Sequence, residues 1–95
     1  MSEGDRYTLT FSLNFERVIR HLKKKKPDLV RELTAHFAKL VREPEIGKPL
    51  RHTLRNYRRV HVKGSFVLLY EIRAREVRLI DFDHHDRVYK KHNSS

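Results

Sequence analysis

Three segments of alternating polarity, Tyr57–Lys63, Phe66–Arg73 and Val77–Asp83, follow one another with only two or three residues between them. Connections that short exclude crossovers, which need a dozen residues or more, so the second half of the chain is expected to be an antiparallel meander. In the first segment Val60 and Val62 share one face, and Tyr57, Arg59, His61 and Lys63 share the other, because side chains alternate along a strand. A two-residue turn at Gly64-Ser65 pairs Val62 with Val67 and Val60 with Leu69 on the core face. Tyr57, Arg59 and His61 then oppose Ile72, Tyr70 and Leu68. Pairing Ala74 with Val77 adds Ile80 and Phe82 to the core face, with Asp81 and Asp83 on the open one.

The first half reads as the cover for this sheet. Tyr7 to Leu13 alternates with Tyr7, Leu9, Phe11 and Leu13 on one side, a half-buried strand. Asn14 is placed to cap a helix carrying Phe15, Val18, Ile19 and Leu22 at helical spacing. Lys23 to Lys26 suit its negative end, and Pro27 stops it. Asp28 opens a second helix with Leu29, Val30, Leu33, Phe37, Leu40 and Val41 on its stripe and His36 packed beside it. Pro44, Gly47 and Pro49 mark the loop back to the sheet. The expected architecture is α+β, ordered β-α-α-β-β-β, with a helical hairpin on one face of a mainly antiparallel four-stranded sheet. Residues 1–95 form one domain, with 1–5 and 93–95 flexible. No apolar run approaches the roughly 20 residues that span a bilayer, the polar start is unlike a signal peptide, and the absence of cysteine makes a reducing cytoplasm the default location.

Charge narrows the function. Lys and Arg number 22 against 12 Asp and Glu, a net +10, which favours a polyanionic or acidic partner. Between Ile46 and Tyr70 lie Lys48, Arg51, Arg55, Arg58, Arg59 and Lys63, and no carboxylate. Arginine can donate two parallel hydrogen bonds to a phosphate. His61 within this block, and His84-His85-Asp86-Arg87-Val88-Tyr89 near the end of the chain, add imidazoles and a phenol. Metal-free RNA cleavage needs a base for the 2′-hydroxyl, an acid for the leaving 5′-oxygen and cations for the phosphorane, and histidine and arginine supply these. Metal ligation is the rival use for His84, His85, Asp81 and Asp83. It is set below cleavage because adjacent histidines tend to diverge and no HxxxH or HExxH spacing supports them. The residues by themselves leave binding and cleavage both open.

From Lys48 to Tyr89 the chain resembles the RelE/ParE superfamily of toxin–antitoxin toxins, most closely its YafQ-like branch. The resemblance lies in Lys48-Pro49-Leu50, Tyr57-Arg58, Val60-His61-Val62, the strand end Leu69-Tyr70, and His85-x-x-Val88-Tyr89. It implies a ribosome-dependent, metal- and cofactor-independent endoribonuclease that cuts messenger RNA in the decoding site and is neutralised by a cognate acidic antitoxin. His61 and His85 match two acting histidines of the YafQ-like branch. A third falls at Lys48, and an acidic residue of that branch falls at Ser65, for which Asp81 or Asp83 is a substitute carboxylate. Arg59 and Tyr89 match the RelE branch, where a further strand arginine is replaced by Val67. The implied catalytic set is therefore His61, His85, Arg59 and Tyr89. Lys48, Arg51, Arg58, Lys63 and Arg87 are the candidate phosphate and RNA contacts. Two alternatives share the fold: a ParE-type gyrase inhibitor without nuclease activity, and an inactivated member that only binds antitoxin or RNA.

Overall fold

The computed structural model describes residues 7–93. The termini expected to be flexible lie outside this range except for Asn93, which ends a helix. Five strands form one sheet: β1 (Thr8–Phe11), β2 (Lys48–Pro49), β3 (Tyr57–Val62), β4 (Phe66–Arg73) and β5 (Glu76–His84). Their order is β1-β5-β4-β3-β2, with β1 parallel to β5 and every other pair antiparallel. The mixed α+β architecture is as expected, but the sheet has five strands rather than four. The addition is β2, which the loop after Gly47 forms by pairing Lys48 with Arg59 and Pro49 with Arg58.

Helices α1 (Leu13–Lys25), α2 (Pro27–Thr34) and α3 (Phe37–Arg42) cover one face. Ser12, not Asn14, caps α1. Its hydroxyl accepts from the Phe15 N–H at 3.0 Å and donates to the Ile80 carbonyl at 2.9 Å. The Asn14 amide donates to that same carbonyl, so both side chains fasten α1 to β5. Pro27 opens α2, where its missing N–H costs nothing. The second expected helix is divided at Ala35-His36, and the His36 ring contacts the Glu32 carbonyl. Phe15, Leu29, Leu33 and Leu40 meet Val62, Leu68, Tyr70, Val77, Leu79 and Phe82 in the main core.

The other face is not open along its length. Helix α4 (His85–Asn93) folds back across β4 and β5, burying Val88 with Val67, Leu69 and Ile80. The sequence reading had no such helix. β4 is therefore covered on both sides and is apolar at consecutive positions, Val67, Leu68, Leu69 and Tyr70, all fully buried. A strand of this kind lacks the alternation that assigns faces.

The β3–β4 register corrects the expected one. Val62 pairs with Phe66, His61 with Val67, Val60 with Leu68 and Arg59 with Leu69. The turn is three residues, Lys63-Gly64-Ser65, with positive φ at Lys63 and Gly64 and the Ser65 N–H donating to the Lys63 carbonyl. One extra turn residue exchanges the faces of the partner strand. Val67 and Leu69 join Arg59 and His61, while Tyr70 lies on the helical side. A bulge at Leu69/Tyr70 then sends Ile80 to the α4 side, although Phe82 keeps its core position.

Tyr70 closes the loop beneath the core. Its hydroxyl donates to the Pro44 carbonyl at 2.6 Å and accepts from the Gly47 N–H at 2.9 Å. Burial raises its pKa against the opposing pull of the Gly47 N–H. A Cβ at Gly47 would meet the Tyr70 hydroxyl at 2.3 Å and the Arg59 carbonyl at 2.9 Å, so glycine is required for this close approach.

Candidate active site

Helix α4 lies on β4 and β5 and reaches the start of β3, where His92 meets the Tyr57 ring edge-on; farther along β3 and on β2 a basic strip remains exposed. Lys48 and Arg59 are direct cross-strand partners there. The Arg59 guanidinium lies against the His61 ring, 2.8 Å from Nδ1 and 3.4 Å from Nε2. Beside this pair a cleft of about 400 Å³ is bounded by Lys48, Pro49, Leu50, Arg51, His52, Leu54, Arg59 and Tyr89. No carboxylate lines it. Three cations along one wall prepare it for an anion whose charge is spread over several oxygens.

Tyr89 reaches the cleft from α4, its ring resting on the Val67–Leu69–Ile80–Val88 cluster. His85 lies one turn before Tyr89 on the same helix, a spacing that puts both on one flank. Its backbone N–H donates to the Ser65 carbonyl at 2.9 Å, tying the start of α4 to the β3–β4 turn. His85 does not line the cleft itself; its imidazole faces Asp86 at 3.1 Å and stacks on His84.

Asp81 and Asp83 are already engaged. Lys91 bridges them, at 2.8 and 3.1 Å, and His92 reaches the same Asp81 oxygen at 2.8 Å. The other Asp81 oxygen accepts from the Phe82 N–H at 2.8 Å. Burial would push both carboxyls up. Hydrogen bonds from Lys91 and His92 to Asp81, and from the His84 N–H, Lys91 and Arg87 to Asp83, prevail and hold both below the ordinary range. Lys91 is partly desolvated, yet the two carboxylates hold it above its ordinary value. These groups latch α4 onto β5.

The cleft thus gathers Lys48, Arg51, Arg59 and Tyr89, with His61 held by Arg59 and His85 one helical turn away. Three expected contacts fall elsewhere. Arg58 lies on the opposite face of β3, donating to the Gly47 and Glu45 carbonyls at 2.8 and 3.2 Å, and serves the fold of the loop. Lys63 lies in the β3–β4 turn, beside Lys25, Lys26 and Phe66. Arg87 pairs with Asp83 at 3.0 Å and faces a groove against Arg17 and His21 of α1. Sequence reasoning missed His52, which lines the cleft from a backbone with φ of 59°. It also missed Lys91 and His92, the latch residues. His52 lies inside the basic block, but in a loop where no alternation assigns it to a face. The latch could be seen only once α4 was recognised as a helix.

The family model described as the ParE toxin of type II toxin-antitoxin system, parDE, matches residues 6–89. A toxin candidate, RelE4, from Methanocaldococcus jannaschii is 30% identical over 87 residues, covering 90% of this chain and 93% of its own. Among solved structures, the toxin–antitoxin complex RelBE2 from Mycobacterium tuberculosis aligns with a TM-score of 0.71 at 30% identity, over 83% of this chain and 98% of that one. The DinJ–YafQ complex from E. coli aligns at 0.74 and 18% identity, over 88% and 99%, a likeness of fold. The chain belongs to the RelE/ParE toxin superfamily and is a type II toxin–antitoxin toxin.

Proposed function

We propose that this toxin is a ribosome-dependent messenger RNA endoribonuclease, working by 2′-hydroxyl attack without a metal, and that a cognate acidic antitoxin neutralises it. The observation that carries the reading is the carboxylate-free cleft in which Lys48 and Arg59 stand side by side with His61 bonded to Arg59. A surface that only docks a protein has no need of an oriented imidazole beside two phosphate-binding cations.

In this scheme the 2′-oxygen attacks the adjacent phosphorus, the P–O5′ bond breaks, and the products are a 2′,3′-cyclic phosphate and a free 5′-hydroxyl. Arg59 and Lys48 take the negative charge of the phosphorane, where preorganised cations act most strongly. His61 and His85 form the acid–base pair, and the one that protonates the leaving 5′-oxygen does so as the imidazolium. The other, as a neutral imidazole, accepts the 2′-hydroxyl proton, and the Tyr89 ring stacks on a base or orients the nucleophile. Arg51 and His52 extend the phosphate-binding wall.

Antitoxin binding fits the charge: a +10 surface is complementary to an acidic segment that folds on contact. RelBE2 and DinJ–YafQ are both toxin–antitoxin complexes. The test is to map messenger RNA cleavage with and without programmed ribosomes for wild type, His61→Ala, His85→Ala and Arg59→Ala. Ribosome-stimulated cutting that is lost in the variants, with melting temperatures unchanged, supports the reading. Full activity in His61→Ala or His85→Ala refutes that residue's role. The ParE description of the matching family favours a second reading, inhibition of gyrase without cleavage. A wild-type protein that leaves RNA intact but blocks supercoiling selects it.

A further inference from the structure

We propose that the junction of β5 and α4 is a divalent transition-metal site of the zinc class, built from His84, His85 and Asp86. Their ligand atoms lie within 4.8 Å of one another. The Asp86 carboxylate faces Nδ1 of His85 at 3.1 Å and Nδ1 of His84 at 3.8 Å. A tetrahedral zinc ion, bound to nitrogen and oxygen at about 2.0–2.1 Å, sets neighbouring ligand atoms roughly 3.3 Å apart. Small side-chain rotations therefore close the set on an ion, with one position left for water or a further ligand.

The expectation that adjacent histidines diverge fails here for a structural reason. The chain changes from strand to helix between His84 and His85, which brings both rings to the same side, 4.6 Å apart and inclined by 27°. His84 is braced edge-on by Phe66, and its backbone N–H is held by Asp83 at 2.7 Å. His85 is fixed through the Ser65 carbonyl. The contact of the Asp86 N–H with His84 Nδ1 is long, at 3.4 Å, and is a weak competitor for that lone pair. Asp86 also favours the positive end of α4, a role that leaves its oxygens available. The protein's net charge opposes cation binding, yet two cations of the same helix are already paired: Arg87 with Asp83, and Lys91 with Asp81 and Asp83. Imidazole pairs with one carboxylate suit zinc, copper or nickel rather than magnesium or calcium.

Occupancy takes the His85 lone pair. On the nuclease reading above, on which this clause rests, zinc is therefore an inhibitor of cleavage rather than a cofactor.

The test uses the untagged full chain, titrated with zinc ion by calorimetry and, in parallel, with cobalt(II) as a visible-absorbance probe of tetrahedral ligation. The expected result is one equivalent bound and a zinc-dependent rise in melting temperature. His84→Ala, His85→Ala and Asp86→Asn should each weaken binding by about tenfold or more, while His36→Ala leaves it unchanged. All three ligands are partly exposed, so circular dichroism should show the variants folded; if one is not, the other two decide. Absent binding, or affinity indifferent to all three substitutions, overturns the site. Zinc bound by a protein with no nuclease activity keeps the site and sinks the nuclease reading. Active nuclease that binds no zinc does the reverse.

Discussion

Replacing Asp81 with alanine should loosen α4 more than any other single polar substitution. Asp81 has no exposed surface and accepts from the Phe82 N–H, Lys91 and His92. Stranding the Phe82 N–H costs about 1–3 kcal/mol, and losing the His92 bond about 1 more. The Lys91 side chain is 44% exposed, so solvent screening discounts its pair to about 0.5–1 kcal/mol. The sum is roughly 4 kcal/mol, or a melting temperature lower by about 16–32 °C at 4–8 °C per kcal/mol for a domain of this size. The effect also carries a pH signature. The folded carboxyl titrates below its unfolded value, so its stabilisation is complete above the ordinary aspartate range and is lost as pH falls through the folded value. The groups facing it are Lys91 and His92 of α4, with Asp83 of β5 sharing Lys91. Urea unfolding of wild type and Asp81→Ala at neutral pH and at about pH 3 should therefore show a gap that narrows in acid. A gap below about 1 kcal/mol at neutral pH, or one that does not narrow, refutes the latch.

Arg59→Ala and Arg58→Ala, neighbours in sequence, should separate function from fold. The first should lower ribosome-stimulated cleavage by about a hundredfold or more with little change in melting temperature; the second should lower stability by about 1–2 kcal/mol, because it frees the Gly47 and Glu45 carbonyls. Gly47→Ala forces its Cβ against the Tyr70 hydroxyl and the Arg59 backbone, and should cost about 1–3 kcal/mol in chemical denaturation. Affinity for RNA, measured by fluorescence anisotropy, should fall steeply as salt rises; salt-independent binding would count against phosphate contacts in the cleft.

What the sequence revealed follows from what alternation can and cannot encode. In β3, Val60 and Val62 against Arg59 and His61 marked core and site unambiguously, because one face of that strand stays exposed. β4 offered no such contrast, and a turn one residue longer than expected was enough to carry Tyr70 to the helices and Val67 to the site. The helix α4 was hidden by its composition: of His85 to Asn93 only Val88 and Tyr89 are large apolar residues, so no stripe announced it. Its seating depends on Asp81, which in sequence looked like a free acid for chemistry and is in fact consumed by Lys91 and His92. The cations of the site were legible as a block, but which of them share a face was not. Alternation in β3 by itself puts Arg58 opposite Arg59, but nothing in the sequence shows that Lys48 and Arg51, in the loop, join the Arg59 face.

The parallel pairing of β1 with β5 has a temporal consequence. Thr8 finds its partner at Glu76 and Phe11 at Leu79, so the first strand waits for almost the whole chain before it has an edge to join. Until β5 is made, β1 cannot enter the sheet, α1 lacks the Ile80 carbonyl that anchors Ser12 and Asn14, and α4 has no floor. Contacts this distant make late, concerted folding the natural course. A nascent chain halted before Glu76 holds Lys48, Arg59 and His61 but has no means of assembling the wall that Tyr89 supplies. For a toxin, that order of events delays assembly of the cleft until most of the chain has been made.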